Sequence, residues 1–295
     1  MDAATSELLE LLNLESMGQG VFVGPPSHDK QTRVFGGQVL AQALAAASFT
    51  VDGASCHSLH AYFLRPGKPG RPIEYEVAKM RDGQSLSQRK VIAVQRVEPI
   101  VELVASFYEP PSKTGSPIQH SRSIPEVPGP ETFPDEEIRM QRLRDRLPEA
   151  HRDVATRKRP IEMLRIGDHD LGSRTRTTEP VRSWIRVRSP LPDDPNLHRC
   201  LLAYASDFGA LEPSLRAIGG SFGDLQLQVA SLDHAMWFHR PFRCDEWLLV
   251  SYESASVGED RGLSYGSVWS QNGRLVASIA QEGMVRPRGQ AADDS

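Results

Sequence analysis

The sequence predicts an α+β fold in which one unit, a buried helix wrapped by an antiparallel sheet, is written twice. Three observations predict it. A glycine pair opens the run GGQVLAQALAAASF, whose Val, Leu and Ala content suits a helix buried on most sides. Four alternating or β-branched segments follow it, separated by Gly, Pro or Asp turns. The same order of helix and then strands returns in the second half of the 295 residues.

Taken along the chain, ELLELLNLE places leucines at helical spacing, and Gly18 and Gly20 then interrupt it before the short strand VFVG. The first buried helix starts at Gly36–Gly37. The strands after it are SLHAYFLRP, PIEYEVAKM, SQRKVIAVQR and PIVELVASFYEP. Between Pro110 and Pro134 seven prolines stand among Ser, Gly and Glu, a composition that disfavours regular helix and interior strand. This is read as a linker, continued by a charged, loosely helical surface segment from Asp135 to Arg159. In the second half NLHRCLLAYASDF is the helix. The strands are LQLQVASLDHAMWFHRPF, EWLLVSYESAS, LSYGSVWSQ and RLVASIAQEGM.

Local residues recur as well. Phe63, Arg65 and Pro66 in AYFLRP match Phe238, Arg240 and Pro241 in MWFHRP, and Val104–Ala105–Ser106 matches Val276–Ala277–Ser278. So long a period marks duplication of a whole domain, because solenoid repeats run to about 20–50 residues. The division expected is an N-terminal domain over 1–110, a linker over 111–171, a C-terminal domain over 172–288 and a disordered tail over 289–295.

Bulk properties exclude several classes of function. A net charge of -4 leaves no global basic field of the kind that draws a protein onto nucleic acid. Cys56, Cys200 and Cys244 are far apart and odd in number, without the close pairs of a zinc or redox site, and read as reduced, packed thiols. No apolar run approaches the roughly 18 residues of a membrane span, and neither the N-terminus nor the ending ADDS carries an address, so a cytoplasmic protein is expected.

Two motifs point elsewhere and are rejected on context. Gly219-Gly220-Ser221-Phe222-Gly223 satisfies the G-x-S-x-G pattern, but that elbow follows a buried strand and starts a helix, whereas a loop-like EPSLRAIGG precedes it here and a strand follows. GDHDLG at Gly167 to Gly172 sets three polar ligands in a row without a partner cluster and is read as a turn, so no metal site is expected. His234 and His239, beside aromatic residues, are read as packing and hydrogen-bonding partners.

Five segments, in order, carry a resemblance to a known family: VFGGQV at Val34 to Val39, YFLRPG at Tyr62 to Gly67, YASDF at Tyr204 to Phe208, DHAMWFHRPF at Asp233 to Phe242 and QEGMVR at Gln281 to Arg286. The chain resembles the acyl-CoA thioesterase II, or TesB-like, family from its N-terminal helix to about Arg286. The resemblance implies a tandem, or double, hotdog, in which two sheets join edge to edge and cover edges that invite aggregation. It implies a thioesterase that hydrolyses fatty acyl-CoA with a water held by Asp207, Ser231 and Gln281. The hydroxyl residue is Ser231 here where a bacterial member has threonine, leaving a rotamer less restrained than a β-branched one. Acyl-CoA is the expected partner, with CoA part of the substrate and no cofactor besides; a homodimer or homotetramer is expected.

Read without the family, Asp207 follows Cys200, Ala203 and Tyr204 at helical spacing and closes an apolar stripe with a carboxylate. Its plainer reading is a partly exposed acid at a helix end; Ser231 alone is a strand serine, and Gln281 alone an edge amide. The glycine-led helix start at Gly36 and Gly37 is a candidate source of backbone N–H groups for an oxyanion. Of His57 and His60, His57 is the better candidate for lining the crevice, since a histidine also precedes this motif in the family; for both, a satisfied structural histidine is the competing reading. The competing function is a non-catalytic acyl-CoA binding or sensing protein. A hydratase is disfavoured, because no D-x-x-x-x-H arrangement follows a strand.

Overall fold

The computed structural model describes residues 1–26, 32–109, 119–146, 159–167, 175–221 and 226–288. Its first half opens with helix α1 (Ala3–Leu11), strands β1 (Glu15–Gly18) and β2 (Val21–Gly24), and the long helix α2 (Gly36–Ser48). Four strands follow: β3 (Ser55–Phe63), β4 (Ile73–Asp82), β5 (Leu86–Gln95) and β6 (Glu98–Tyr108). Every residue of α2 from Gly37 to Ala47 is buried, as a helix with small or apolar side chains on all faces requires.

The second half contains α3 (Glu136–Arg146), β7 (Ile161–Ile166), β8 (Val181–Val187), helix α4 (Pro195–Ser206) and a short helix α5 (Glu212–Ala217). It ends with β9 (Leu227–Ser231), β10 (Asp233–Phe238), β11 (Leu248–Gly258), β12 (Arg261–Ser270) and β13 (Leu275–Pro287). All strand pairs are antiparallel, and the sheet runs β1-β2-β4-β5-β6-β3-β10-β13-β12-β11-β8-β7, with β9 also on β13. The halves meet where β3 pairs β10, with Asp233 opposite Tyr62 and Trp237 opposite Ser58. Helices α2 and α4 pack on each other inside this sheet, and one apolar core includes Leu40, Leu44, Leu59, Leu201, Leu202 and Ile279 from both halves. The architecture is the expected double hotdog.

Four details depart from the sequence reading. Strand β7 lies inside the stretch read as linker, and β7 and β8 were not anticipated; IEMLRI lacks the clean alternation of a half-buried strand, and it takes its order from pairing with β8. The proline-rich segment from residue 119 onward is packed: the Trp184 indole donates to the Pro128 carbonyl at 2.8 Å, and Ile124, Val127 and Phe133 cover a second small core around Trp184, Leu249 and Trp269. EPSLRAIGG, read as loop, begins with α5. A helix therefore precedes Gly219–Gly220, and β9 follows, so the strand–turn–helix elbow is absent among the described residues, with Phe222 and Gly223 outside them. GDHDLG beyond Gly167, and the tail from 289, also fall outside the described residues.

The fourth departure is one of register. Phe63 stands opposite Val101, whereas its counterpart Phe238 stands opposite Ala277. If the RP motifs are equivalent, Val104–Ser106 and Val276–Ser278 lie four residues apart. An even slip keeps every side chain on its face, which is why the two matches looked consistent in sequence. On this register the counterpart of Gln281 is Ala105.

Candidate active site

Asp207 caps the C-terminal end of α4, in helical backbone geometry. That end is anchored by Tyr252, whose hydroxyl donates to the Ser206 carbonyl at 2.5 Å. The N-terminal end of α2 faces it, and the Gly37 N–H donates to Asp207 Oδ2 at 2.9 Å. Such an approach needs glycine at both positions. A Cβ on Gly37 would collide with the Tyr204 carbonyl oxygen, and one on Gly36 would lie 2.8 Å from Asp207 Oδ2.

Asp207 Oδ1 accepts from Gln281 Nε2 at 3.1 Å, and the same nitrogen donates to Ser231 Oγ at 2.8 Å. Strand alternation on β13 points Gln281 inward with Ile279, Gly283 and Val285, leaving it 2% exposed. Asp207 itself is half-buried. Protein packed round its carboxyl group makes the charge costly, which pushes its pKa up to about 6, against the opposing hydrogen bonds from Gln281 and Gly37. The C-terminal end of α4 acts in the same direction as burial, and the N-terminal end of α2 against it.

The long strand expected from Leu225 to Phe242 is in fact broken at Leu232. Ser231 stands opposite Gly283 and Ala235 opposite Ala280, so residues 232–234 span only residues 281–282 of β13. This one-residue bulge is held by Leu232 N–H on the Glu282 carbonyl and by the Asp233 carboxylate accepting from Glu282 N–H, at 2.9 and 2.8 Å. Residues three apart in a regular strand face opposite sides. Because of the extra residue, Ser231 and His234 both reach Gln281, the latter through Nδ1 at 2.5 Å from Oε1.

The structure thus brings Asp207, Ser231, Gln281 and Gly37 together, with Gly36 against the carboxylate. It gives Gly37 another part than the one expected: its N–H holds Asp207 instead of standing free for an oxyanion. His57 is not brought in. Its Nε2 lies 2.8 Å from Ser106 Oγ, and six residues of β3, about 20 Å at ~3.3 Å per residue, separate it from Phe63 beside Gly36. His60 is exposed, edge-on to Trp237, and His239 bonds to Ser278 Oγ at 2.8 Å. His234, read from the sequence only as a packing and hydrogen-bonding partner, is the residue whose place beside the site the sequence reading did not foresee. Parity along a continuous strand places it opposite to Ser231, and nothing local announces the bulge.

Comparison with known proteins agrees with the fold and places the chain in a family. The family model described as acyl-CoA thioesterase matches residues 168–284, and that of the acyl-CoA thioesterase N-terminal domain matches residues 24–108. Human acyl-coenzyme A thioesterase 8 is 38% identical, with 96% of this chain and 90% of that protein aligned. Acyl-CoA thioesterase 2 of Haemophilus influenzae is 35% identical over 97% of this chain and 99% of its own. Among solved structures, an acyl-CoA thioesterase II from Mycobacterium marinum superposes with a TM-score of 0.74 at 35% identity, covering 95% of this chain and 98% of that one. A hot dog fold protein from Alicyclobacillus acidocaldarius, 18% identical with a TM-score of 0.73 over 97% and 99% of the two chains, shares the fold. With both halves matched in order and relatives above 30% identity along almost its whole length, the chain belongs to the acyl-CoA thioesterase family.

Proposed function

We propose that the protein hydrolyses fatty acyl-CoA to free fatty acid and CoA, using a water held by Asp207 and Ser231 in a site that Gln281 arranges. The observation that carries this reading is the half-buried Asp207 carboxylate, its pKa raised to about 6 by the protein packed round it, and joined through one amide to a hydroxyl. A base with such a pKa is both ionised and able to accept a proton at neutral pH. Both N–H groups of Gln281 are engaged, one by each partner, and Ser231 Oγ keeps a lone pair. A water donating one hydrogen to Asp207 and the other to Ser231 turns its own lone pair toward the thioester carbonyl.

Attack then forms the C–O bond while Asp207 takes the proton of the water. The tetrahedral oxyanion collapses with cleavage of the C–S bond, and CoA leaves as thiolate. A thiol of pKa near 8.5 needs no strong acid to depart, so the proton on Asp207 returns to the thiolate or to solvent. Among the described residues no carboxylate or imidazole is hydrogen-bonded to Ser231 Oγ, which argues against a serine nucleophile. CoA enters as part of the substrate, and the chemistry calls on no other cofactor. We place the protein in the cytoplasm as a homodimer or homotetramer; among the described residues no helix is long and apolar enough to cross a membrane.

The test is release of free thiol from acyl-CoAs of short to long chain, with Asp207→Asn as control. Turnover that the substitution abolishes supports the reading. Tight binding of acyl-CoA with no thiol release by the wild type would mark a binding protein instead.

A further inference from the structure

His234 is a titratable side chain hydrogen-bonded directly to Gln281 to which the proposed chemistry gives no part. It is completely buried, 0% exposed, on β10, with ring nitrogens bonded on both sides: Nδ1 2.5 Å from Gln281 Oε1 and Nε2 2.9 Å from Ser206 Oγ. Ser206 Oγ also lies 2.9 Å from the Ala203 carbonyl. Building on the thioesterase reading, we infer that His234 is a positioning residue for the reaction: its Nδ1–H donates to Gln281 Oε1 and fixes the amide with its NH2 toward Asp207 and Ser231.

The argument is one of donors and acceptors. A glutamine amide turned by half a rotation exchanges its oxygen and nitrogen at little steric cost, so only its partners decide which end faces the base. Turned the wrong way, Oε1 would face the Asp207 carboxylate and Ser231 Oγ would lose its donor. The attacking water would then lose its two-acceptor seat. An imidazole that donates at Nδ1 removes that alternative, because an NH2 group in the same place would meet a donor with a donor. Burial keeps the ring neutral, lowering its pKa to about 4. A neutral ring has one N–H only, so with Nδ1 donating, Nε2 accepts and the Ser206 hydroxyl donates to it in preference to the Ala203 carbonyl. In this tautomer the ring ties Gln281 to the last turn of α4, at the residue before Asp207. The bulge at Leu232 makes this possible by turning His234 to the side of Ser231.

Kinetics of the full-length protein with one acyl-CoA test this. His234→Leu fills the space without the donor, and should lower kcat about 10- to 100-fold with KM changed less than about threefold, as for loss of one positioning contact. His234→Asn keeps a nitrogen on Cγ, where Nδ1 sits, and should recover a large part of the loss, whereas His234→Gln, with its nitrogen one atom further out, should not. Because the effect runs through Gln281, the double variant His234→Leu/Gln281→Leu should lose no more than Gln281→Leu alone. Additive losses, an unchanged kcat in His234→Leu, or equal rates for the Leu and Asn variants overturn the inference.

Should the leucine variant fail to fold, 15N NMR of the histidine-labelled wild type decides, the His234 signal being assigned by its absence from His234→Asn. A neutral ring protonated at Nδ1 supports the assignment, and an Nε2–H tautomer overturns it. A wild type that releases no thiol would defeat the thioesterase reading, and the NMR result would still settle the tautomer by itself.

Discussion

Asp207 sits between two helix ends of opposite sign, and its behaviour with pH follows from that placement. Its folded pKa, about 6, lies above the usual carboxylate value of 3.8. The native protein therefore binds the proton more tightly than the unfolded chain, and the ionised carboxylate costs stability above pH 6. That cost, up to about 3 kcal/mol for a shift of some two units, fades as pH falls from 6 toward 3.8. Asp207→Asn is thus expected to raise the denaturant midpoint at pH 8, with the gain shrinking toward pH 4. Hydrolysis should fall by roughly two to four orders of magnitude in the same variant while ligand binding persists. In the wild type kcat/KM should rise about tenfold per pH unit up to about pH 6 and then level off; a profile flat through this range removes Asp207 as the base. At Ser231 the geometry favours a water-holding hydroxyl. Ser231→Thr should be as active as wild type, and Ser231→Ala should lose roughly ten- to a thousandfold. An acyl adduct on Ser231, formed and lost at catalytic rates in rapid-quench mass spectrometry, would overturn this.

At the scale of elements the site is an arrangement of termini. The N-terminal turn of α2 reaches the C-terminal turn of α4 only because Gly36 and Gly37 have no Cβ, and the contact supplies Asp207 with a backbone donor. Gly37→Ala should cost about 1–3 kcal/mol, as overpacking does. It should also lower activity beyond what the lost stability explains, because the carboxylate shifts from Gln281. Activity of the stably folded fraction equal to wild type would count against the role given to this contact. The bulge between β9 and β10 is the second device. Helical spacing put Asp207 at the end of an apolar stripe, whereas Gln281, which by itself reads as an edge amide, is turned inward on β13. The bulge had no such signature, since SLDH contains none of the glycines that often mark one, and it is held by a carboxylate, Asp233, two residues after Ser231.

For the whole molecule, the sheet is continuous across the β3–β10 seam and the core is shared, so the halves should unfold together. The four tryptophans, Trp184, Trp237, Trp247 and Trp269, all lie in the second half. Their fluorescence therefore reports chiefly that half, with Trp237 at the seam, while far-UV circular dichroism reports both. Coincident denaturation curves are expected from one cooperative unit; a fluorescence transition displaced from the dichroism transition would mean that each half folds by itself.

The order of most elements and the duplication were legible in the sequence, because helical and strand periodicities are local. The resemblance carried by YASDF and QEGMVR picked out Asp207 and Gln281 before their geometry was known. Tertiary structure decided the remainder. It paired β8 with β7, which lies inside a stretch whose composition reads as linker, laid residues 124–133 over Trp184 and Trp269, and set β6 on β3 and β13 on β10 in registers that differ by an even number, which leaves no mark on alternation. It gave the Gly37 N–H to Asp207 and brought His234, 47 residues from Gln281 in the chain, into the same network. Such pairings depend on which backbone donors and acceptors meet across strands. That choice is made by the packing of the whole sheet around two helices, and no window of neighbouring residues contains it.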